Sequence, residues 1–186
     1  EAAISKVLGV RPSSDADVKI MGRIDRDLCT ISVDTSGELL HKRGFKESVN
    51  KAPMRENMAS LFLQQCGYKG TEHVYDPMCG SGTIPIEAAM IGRNIPGGNY
   101  RKWYAFKGWK NFNPRLWNSV VQKSRERINN DRLYIFGSDN IGANVDLSKQ
   151  NARKILIHTF IQFTKKEFNE FEPNIPGGTI LMNPPY

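Results

Sequence analysis

Apolar and polar positions change period several times along this chain, and each change marks an element. Val18-Lys19-Ile20-Met21-Gly22-Arg23-Ile24 and Leu28-Cys29-Thr30-Ile31-Ser32-Val33-Asp34 read as two strands, with Asp25-Arg26-Asp27 as a hairpin connection. Thr35-Ser36-Gly37 ends the second strand. Pro53 opens a helix in which Met54, Met58, Leu61 and Phe62 share one apolar face, and Gly67 stops it. His73 to Asp76 is a short β-type run ending in an acid. A turn with two glycines follows, then an Ala-rich helix to about Ile91 that Gly92 ends. Leu133 to Asp139 is a further strand ending in an acid. Ile141 to about Ile155 reads as a helix with Ile141, Val145 and Ala152 inward. Phe160 to Phe163 and Thr179 to Met182 are the last strands, separated by a loop from Pro173 to Gly178. This order predicts an α/β fold with a parallel sheet and right-handed crossovers, whose ligands sit at the carboxyl ends of the strands.

Composition narrows the class. A chain of 186 residues with 39% hydrophobic and 24% charged residues is that of a soluble globular protein, one domain or one and a part. Its apolar runs are too short to span a bilayer, and no signal peptide opens it. Cys29, Cys66, Cys79 and three histidines form no metal-like spacing, so no metal and a reduced, cytoplasmic setting are expected. It opens on Glu1 and stops at a motif, which reads as a piece of a longer protein.

The net charge of +7 points to an anionic partner, and its distribution points further. In a doubly wound unit a second acid is expected about 20 residues past the glycines. The candidate here, Asp139, lies much later, so residues 93–132 read as an insertion. From 101 to 132 nine Lys or Arg face only Glu126 and Asp131, an excess as large as that of the whole chain. The same stretch holds Trp103, Trp109 and Trp117 with Tyr104, Phe106 and Phe112. Cations for phosphates and rings for unstacked bases make a nucleic-acid surface. The alternative is that the rings pack the insertion onto the domain while the charges are solvated.

The loop Asp76-Pro77-Met78-Cys79-Gly80-Ser81-Gly82-Thr83 carries the candidate chemistry. Its glycines let the backbone pass close to a ligand, and the helix amides behind favour an electronegative group. A carboxylate at the strand end would repel phosphates, and no P-loop lysine follows. The acid suits the amino group and sulfonium of S-adenosylmethionine. Asp76, Pro77, Cys79, Gly80, Ser81, Gly82 and Thr83 are therefore expected to hold that cofactor. Asp139, with Asn140 beside it, ends the next strand, where a carboxylate can accept both hydroxyls of a ribose. Cys79 sits in the cofactor turn, where a small residue suffices, and is not expected to be a nucleophile.

The chain then ends in Asn183-Pro184-Pro185-Tyr186. Asp-Pro-Met-Cys-Gly-Ser-Gly-Thr followed by Asn-Pro-Pro-Tyr resembles the class I amino-methyltransferases. From about Ile20 to Tyr186 the chain resembles the bacterial THUMP-containing methyltransferases that modify N2 of a guanine in 23S ribosomal RNA. The resemblance implies a Rossmann-like sheet, truncated, in strand order 3-2-1-4, with later strands absent. It implies that residues 1–46 are the tail of a THUMP-like RNA-binding domain with its linker, the hairpin being a remnant of it. Residues 47–186 would then be the N-terminal part of the methyltransferase domain. His41 to Lys46 is either a solvated basic linker or an RNA contact. Ala52-Pro53-Met54-Arg55-Glu56-Asn57 matches a family motif that places Arg55 near the site. Glu167 stands where the family usually has an Asp on the adenine amino group; it is longer, and an ordinary surface acid is the alternative. Asn183 and Asp139 would also contact the cofactor.

For catalysis, the Asn183 side-chain carbonyl and the Pro184 backbone carbonyl can accept the hydrogens of an exocyclic amine, and Tyr186 can stack on an extruded base. The tetrapeptide also serves adenine-N6 DNA methyltransferases, so that activity is an alternative, as is a non-catalytic RNA-binding module. The oligomeric state is not legible.

Overall fold

The computed structural model describes the chain apart from residues 1–4, 8, 10, 12, 14, 15, 17, 47–53, 174 and 186. Pro53, expected to open a helix, and Tyr186, expected to stack on a base, therefore lie outside the described residues. Two compact units emerge: Glu1–Leu39 with Lys102–Pro114, and Leu40–Arg101 with Arg115–Tyr186.

In the first unit β1 (Ile20–Asp25) pairs antiparallel with β2 (Leu28–Val33), Ile20 opposite Val33 and Asp25 opposite Leu28. The connection is two residues rather than three. Arg26 and Asp27 both have positive φ, 46° and 64°, the left-handed pair whose twist matches that of the strands. The register puts Ile20, Ile24, Ile31 and Val33 on one face, and all four are exposed. Asp34 turns the chain after β2 by accepting the backbone N–H groups of Ser36 and Gly37. Beside that turn, Ala105 and Phe106 donate their N–H groups to the Ser36 and Thr35 carbonyls. Tyr104, Phe106 and Phe112 pack ring on ring around a 3₁₀ turn at Ala105–Gly108, with centroids 5.4 and 5.9 Å apart.

The second unit holds a four-stranded parallel sheet. Its strands are β3 (Val74–Asp76), β4 (Ile135–Asp139), β5 (Ile161–Lys165) and β6 (Thr179–Ile180), in the order β5-β4-β3-β6. That is the expected 3-2-1-4. The helices are α1 (Glu56–Gln65), α2 (Thr83–Gly92), α3 (Pro114–Glu126) and α4 (Gly142–Lys154). Strand β3 is buried throughout, as a central parallel strand must be, and Tyr75 stacks on Phe136 of β4. Helix α2 is buried from Thr83 through Met90. Side chains such as Ile86 and Met90 each contribute about 1.5–3 kcal/mol by leaving water.

Several expectations are corrected. The buried face of α1 is Glu56, Ala59 and Leu63; Met58 and Leu61 are exposed and Phe62 is half-buried. Polarity misled because Glu56 is buried as one half of an ion pair and Ala59 is small enough for close packing. In α4, Val145 and Ala152 face inward with Ser148 and Asn151, but Ile141 is the N-cap and is 55% exposed. His41 to Lys46 is not a solvated linker. Phe45 joins the core, Arg43 makes a two-pronged pair with Glu87 (3.1 and 3.0 Å), and Lys46 pairs with Glu56 at 3.1 Å. Removing one partner of such a buried pair costs about 3–5 kcal/mol. Residues 93–132 contain one long element, α3, none of whose residues is buried. Trp103 is about half exposed, while Trp109 and Trp117 are half-buried.

Candidate active site

The loop after β3 is locked to its neighbours by backbone and side-chain bonds. Cys79 N–H donates to the Ser138 carbonyl at 2.8 Å, and Gly82 N–H to the Cys79 carbonyl at 2.8 Å. From α4 the Asn151 amide donates to the Ser81 carbonyl at 3.1 Å. Asp139, at the end of β4, closes the arrangement. Its carboxylate accepts the Gly80 N–H at 2.9 Å on one oxygen, and the Ile141 N–H (2.9 Å) and Asn144 amide (3.0 Å) on the other. One lone pair of the first oxygen is left for a ligand.

A cavity of about 580 Å³ opens along this rim. Its floor is Asp76 and the loop from Pro77 through Ser81, with Thr83 at the start of α2. Asp139 and Asn140 line one side, Glu167 and Phe168 another, and Asn183 and Pro184 after β6 complete it. The strand ends thus bring together, in one concavity, residues up to 107 positions apart. Gly82 does not line it. With φ 81° its added Cβ would stand 2.8 Å from the Ser148 Cβ and 3.3 Å from the Phe163 ring, so this glycine serves helix-on-sheet packing. Gly80, with φ 51°, has nothing within 4 Å of an added Cβ. Arg55 is exposed and is not among the lining residues; its neighbour Met54 is.

Sequence reasoning also missed Asn144 and Phe168. Asn144 could have been found as the residue one turn into α4, where a side chain returns to the acid before the helix. Phe168 carried no periodic signal, because it sits in a 3₁₀ turn (Phe168–Glu170) capped by Glu167.

The electrostatics fit a ligand bearing both signs. Burial pushes the Asp76 carboxyl up to about 7; the Met78 N–H, at 3.2 Å, works against this and Asp139 adds to it. A buried carboxyl with a single hydrogen-bond donor among the described residues is poised to take a cation. The Ser81 hydroxyl is buried with no hydrogen-bond partner among the described residues, and the N-cap of α2 is Gly82, which offers no side-chain cap. An electronegative ligand group would answer both. Burial pushes the Cys79 thiol far up, with Asp76 and Asp139 adding to it, which keeps it a thiol and not a nucleophile. Asn140 reaches Glu167 only at a long 3.5 Å. No group of His, Cys, Asp and Glu among the described residues is placed to hold a metal ion, and no described helix is long and apolar enough to cross a membrane.

Known proteins resemble this chain in sequence and in fold. The chain is 33% identical over 178 residues to the ribosomal RNA large subunit methyltransferase K/L of Psychromonas ingrahamii, covering 92% of this chain and 24% of that protein. It therefore spans about a quarter of the length of that relative. Among solved structures it superposes on SMU.472, called a methyltransferase and complexed with SAH, with TM-score 0.82 and 33% identity over 91% of this chain and 44% of the other. A protein of Listeria monocytogenes called an N6-adenine-specific DNA methylase gives 0.83, again at 33% identity, over 90% and 44%. A protein of Clostridium difficile called a methylase gives 0.85 at 33% identity over 99% and 49%. The family model for the RMKL-like methyltransferase domain matches residues 43–186, which is most of the chain and all of the rim just described, so the chain belongs to that family.

Proposed function

We propose that this chain is the catalytic part of an S-adenosylmethionine-dependent methyltransferase that modifies N2 of a guanine in 23S ribosomal RNA. The observation that carries the reading is the single cavity in which Asp76, Asp139, Asn183 and Pro184 meet at the carboxyl ends of β3, β4 and β6. The relative named for ribosomal RNA and the neighbour holding SAH support the substrate and the cofactor. When bound, S-adenosylmethionine supplies a methyl group activated on a sulfonium.

The chain's own residues do the rest. Asp76 takes the cationic end of the cofactor, and Asp139 accepts one ribose hydroxyl with its remaining lone pair. Asn140 and Glu167 bound the adenine side. Pro77 holds the turn rigid, and Cys79, Gly80 and Ser81 supply a close backbone path. An exocyclic amine is a weak nucleophile because its lone pair is delocalised into the ring. Asn183 and Pro184 accept its two hydrogens and draw the nitrogen toward tetrahedral geometry. Positioning then contributes most of the acceleration. Tyr186 stacks on the extruded base in this reading. Residues 1–46 are the tail of a THUMP-like RNA-binding module with its linker, and the exposed apolar face of the hairpin is where the rest of that module packs. Residues 47–186 form the methyltransferase part, with the basic aromatic stretch at 93–132 meeting RNA. A cytoplasmic setting follows from such a substrate.

The test is incubation of the full-length protein with labelled S-adenosylmethionine and either undermethylated ribosomal RNA or DNA, followed by nucleoside analysis. N2-methylguanosine in the RNA is expected. N6-methyladenine in the DNA would replace the guanine reading, and no transfer to either would remove both.

A further inference from the structure

Residues 43–46 approach α2 and the first turn of α1 with two cations. Arg43 binds Glu87, and Lys46 Nζ donates to Thr83 Oγ1 at 2.6 Å while pairing with Glu56 Oε1 at 3.1 Å. Thr83 and Glu87 are four residues apart, so both cations reach the same face of α2. The side chains of Lys46 and Glu56 keep only 9% and 8% exposure. The two pairs differ in one respect. Thr83 lines the cavity, and neither Arg43 nor Glu87 does.

An ammonium can only donate, so Thr83 Oγ1 accepts from Lys46. With that lone pair taken, the hydroxyl's own hydrogen is left to donate elsewhere. Thr83 stands at the start of α2, where Gly82 provides no side-chain cap and the first helix amides also present hydrogens. Asp76, on the same cavity floor, is suited to an ammonium. Opposite signs within one cavity are what the amino-acid end of a ligand requires.

We propose that Lys46 is a positioning residue of the cofactor site: charge-balanced by Glu56, it orients the Thr83 hydroxyl as a donor to the carboxylate of the ligand's amino-acid end. This rests on the cofactor reading above. The segment that leads into the methyltransferase sheet is thereby part of the binding site's scaffold, and the buried pair is kept for ligand orientation as well as for holding helices together.

The test uses calorimetry on the full-length protein with two probes, S-adenosylhomocysteine and adenosine, which lacks the amino-acid end. Replacing Lys46→Met together with Glu56→Gln removes the ammonium without leaving a lone buried charge. It should weaken S-adenosylhomocysteine binding by roughly ten-fold or more, the effect of losing a charge-supported hydrogen bond, and leave adenosine binding unchanged. The control pair Arg43→Met with Glu87→Gln should lower the melting temperature and leave both affinities alone. Thr83→Val, nearly isosteric, should reproduce the selective loss, and Thr83→Ser should restore binding. It decides the matter if the double variant does not fold. Equal loss for both probes, or no loss in Thr83→Val, overturns the role of Lys46. Failure of the unaltered protein to bind S-adenosylhomocysteine would instead overturn the cofactor reading.

Discussion

Helices α2 and α3 are of similar length and opposite in kind. The first eight residues of α2 are all buried, it contains no Lys or Arg, and its N-terminus faces the cavity. No residue of α3 is buried, it carries Arg115, Lys123 and Arg125, and Leu116 and Val120 stand exposed on it. A helix buried on every side is fixed by its surroundings, whereas a polar surface helix is free to vary in charge at small cost to stability. The two should therefore answer different experiments: α2 and its rim govern folding, cofactor and chemistry, and α3 governs attraction to a polyanion.

The largest effect is expected at Gly82, the N-cap of α2. Gly82→Val places a branched side chain at φ 81°, with its Cβ against Ser148 and Phe163. Overpacking and left-handed strain, each about 1–3 kcal/mol, add to a loss that takes a domain of ordinary stability close to unfolding. Thermal melting by circular dichroism checks this. A stable variant that merely fails to bind cofactor would return Gly82 to the ligand's edge.

Next comes Asn183. Asn183→Ala should lower turnover by about 10²–10³-fold, the usual loss when one preorganised polar group is removed from a transition state. Cofactor affinity should stay within a few-fold, since this group acts as the amine nitrogen changes shape. Asn183→Asp still accepts hydrogen bonds and should retain some activity. Single-turnover rates with ribosomal RNA separate these from changes in RNA affinity. Near-normal turnover in Asn183→Ala would reduce the tetrapeptide to a structural turn.

The contrast between the helices also explains what the sequence disclosed. The parallel strands and the convergence of Asp76, Asp139, Glu167 and Asn183 on one rim were legible, because burial on both faces leaves β-type runs that end at a chemical signal, whereas the sheet order came from the family resemblance alone. The buried face of α1 was not. Periodicity assigns charge to the outside, and Glu56 is inside only because Lys46, ten residues earlier in an irregular segment, neutralises it. The role of Gly82 was misjudged for a related reason. A glycine in a loop shows that space is short, but whether the ligand or Ser148 fills that space depends on a helix 60 residues away. The insertion was legible as a charge excess and not as a shape.

Smaller effects sharpen the cofactor half of the comparison. Asp139→Ala should weaken S-adenosylhomocysteine binding by about 1–3 kcal/mol, part of it through loss of the bonds that hold Gly80 and Ile141. Asp76 gives a pH dependence. Its carboxyl titrates near 7 in the folded protein, raised from 3.8 mainly by burial. A cationic ligand favours the ionised form, so binding below pH 7 releases a proton. Affinity should then fall about ten-fold per pH unit below 7 and level off above it. The stability of the ligand-free protein runs the other way. The raised carboxyl contributes fully below about 4, and that contribution is lost as pH rises through 7. Asp76→Asn should be free of both dependences. Calorimetry in buffers of different ionisation enthalpy counts the proton directly, and zero protons released at pH 6 would show that Asp76 is not the cation's partner.

The smallest effect belongs to α3. Arg115 and Lys123 are exposed, as is Arg127 just past the helix. Neutralising all three with Gln should leave melting temperature and cofactor affinity unchanged, because their side chains are exposed and none lines the cavity. RNA affinity should fall modestly at low salt and the difference should shrink as salt rises. The slope of log affinity against log salt should flatten by up to roughly 0.7 for each single-strand phosphate that is no longer neutralised. A slope that does not move would make the charges of α3 a solvated face and shift the search for the RNA surface to Lys110 and the rings of residues 102–114. A slope that moves together with cofactor affinity would break the comparison itself, since α3 would then belong to the same energetic unit as α2.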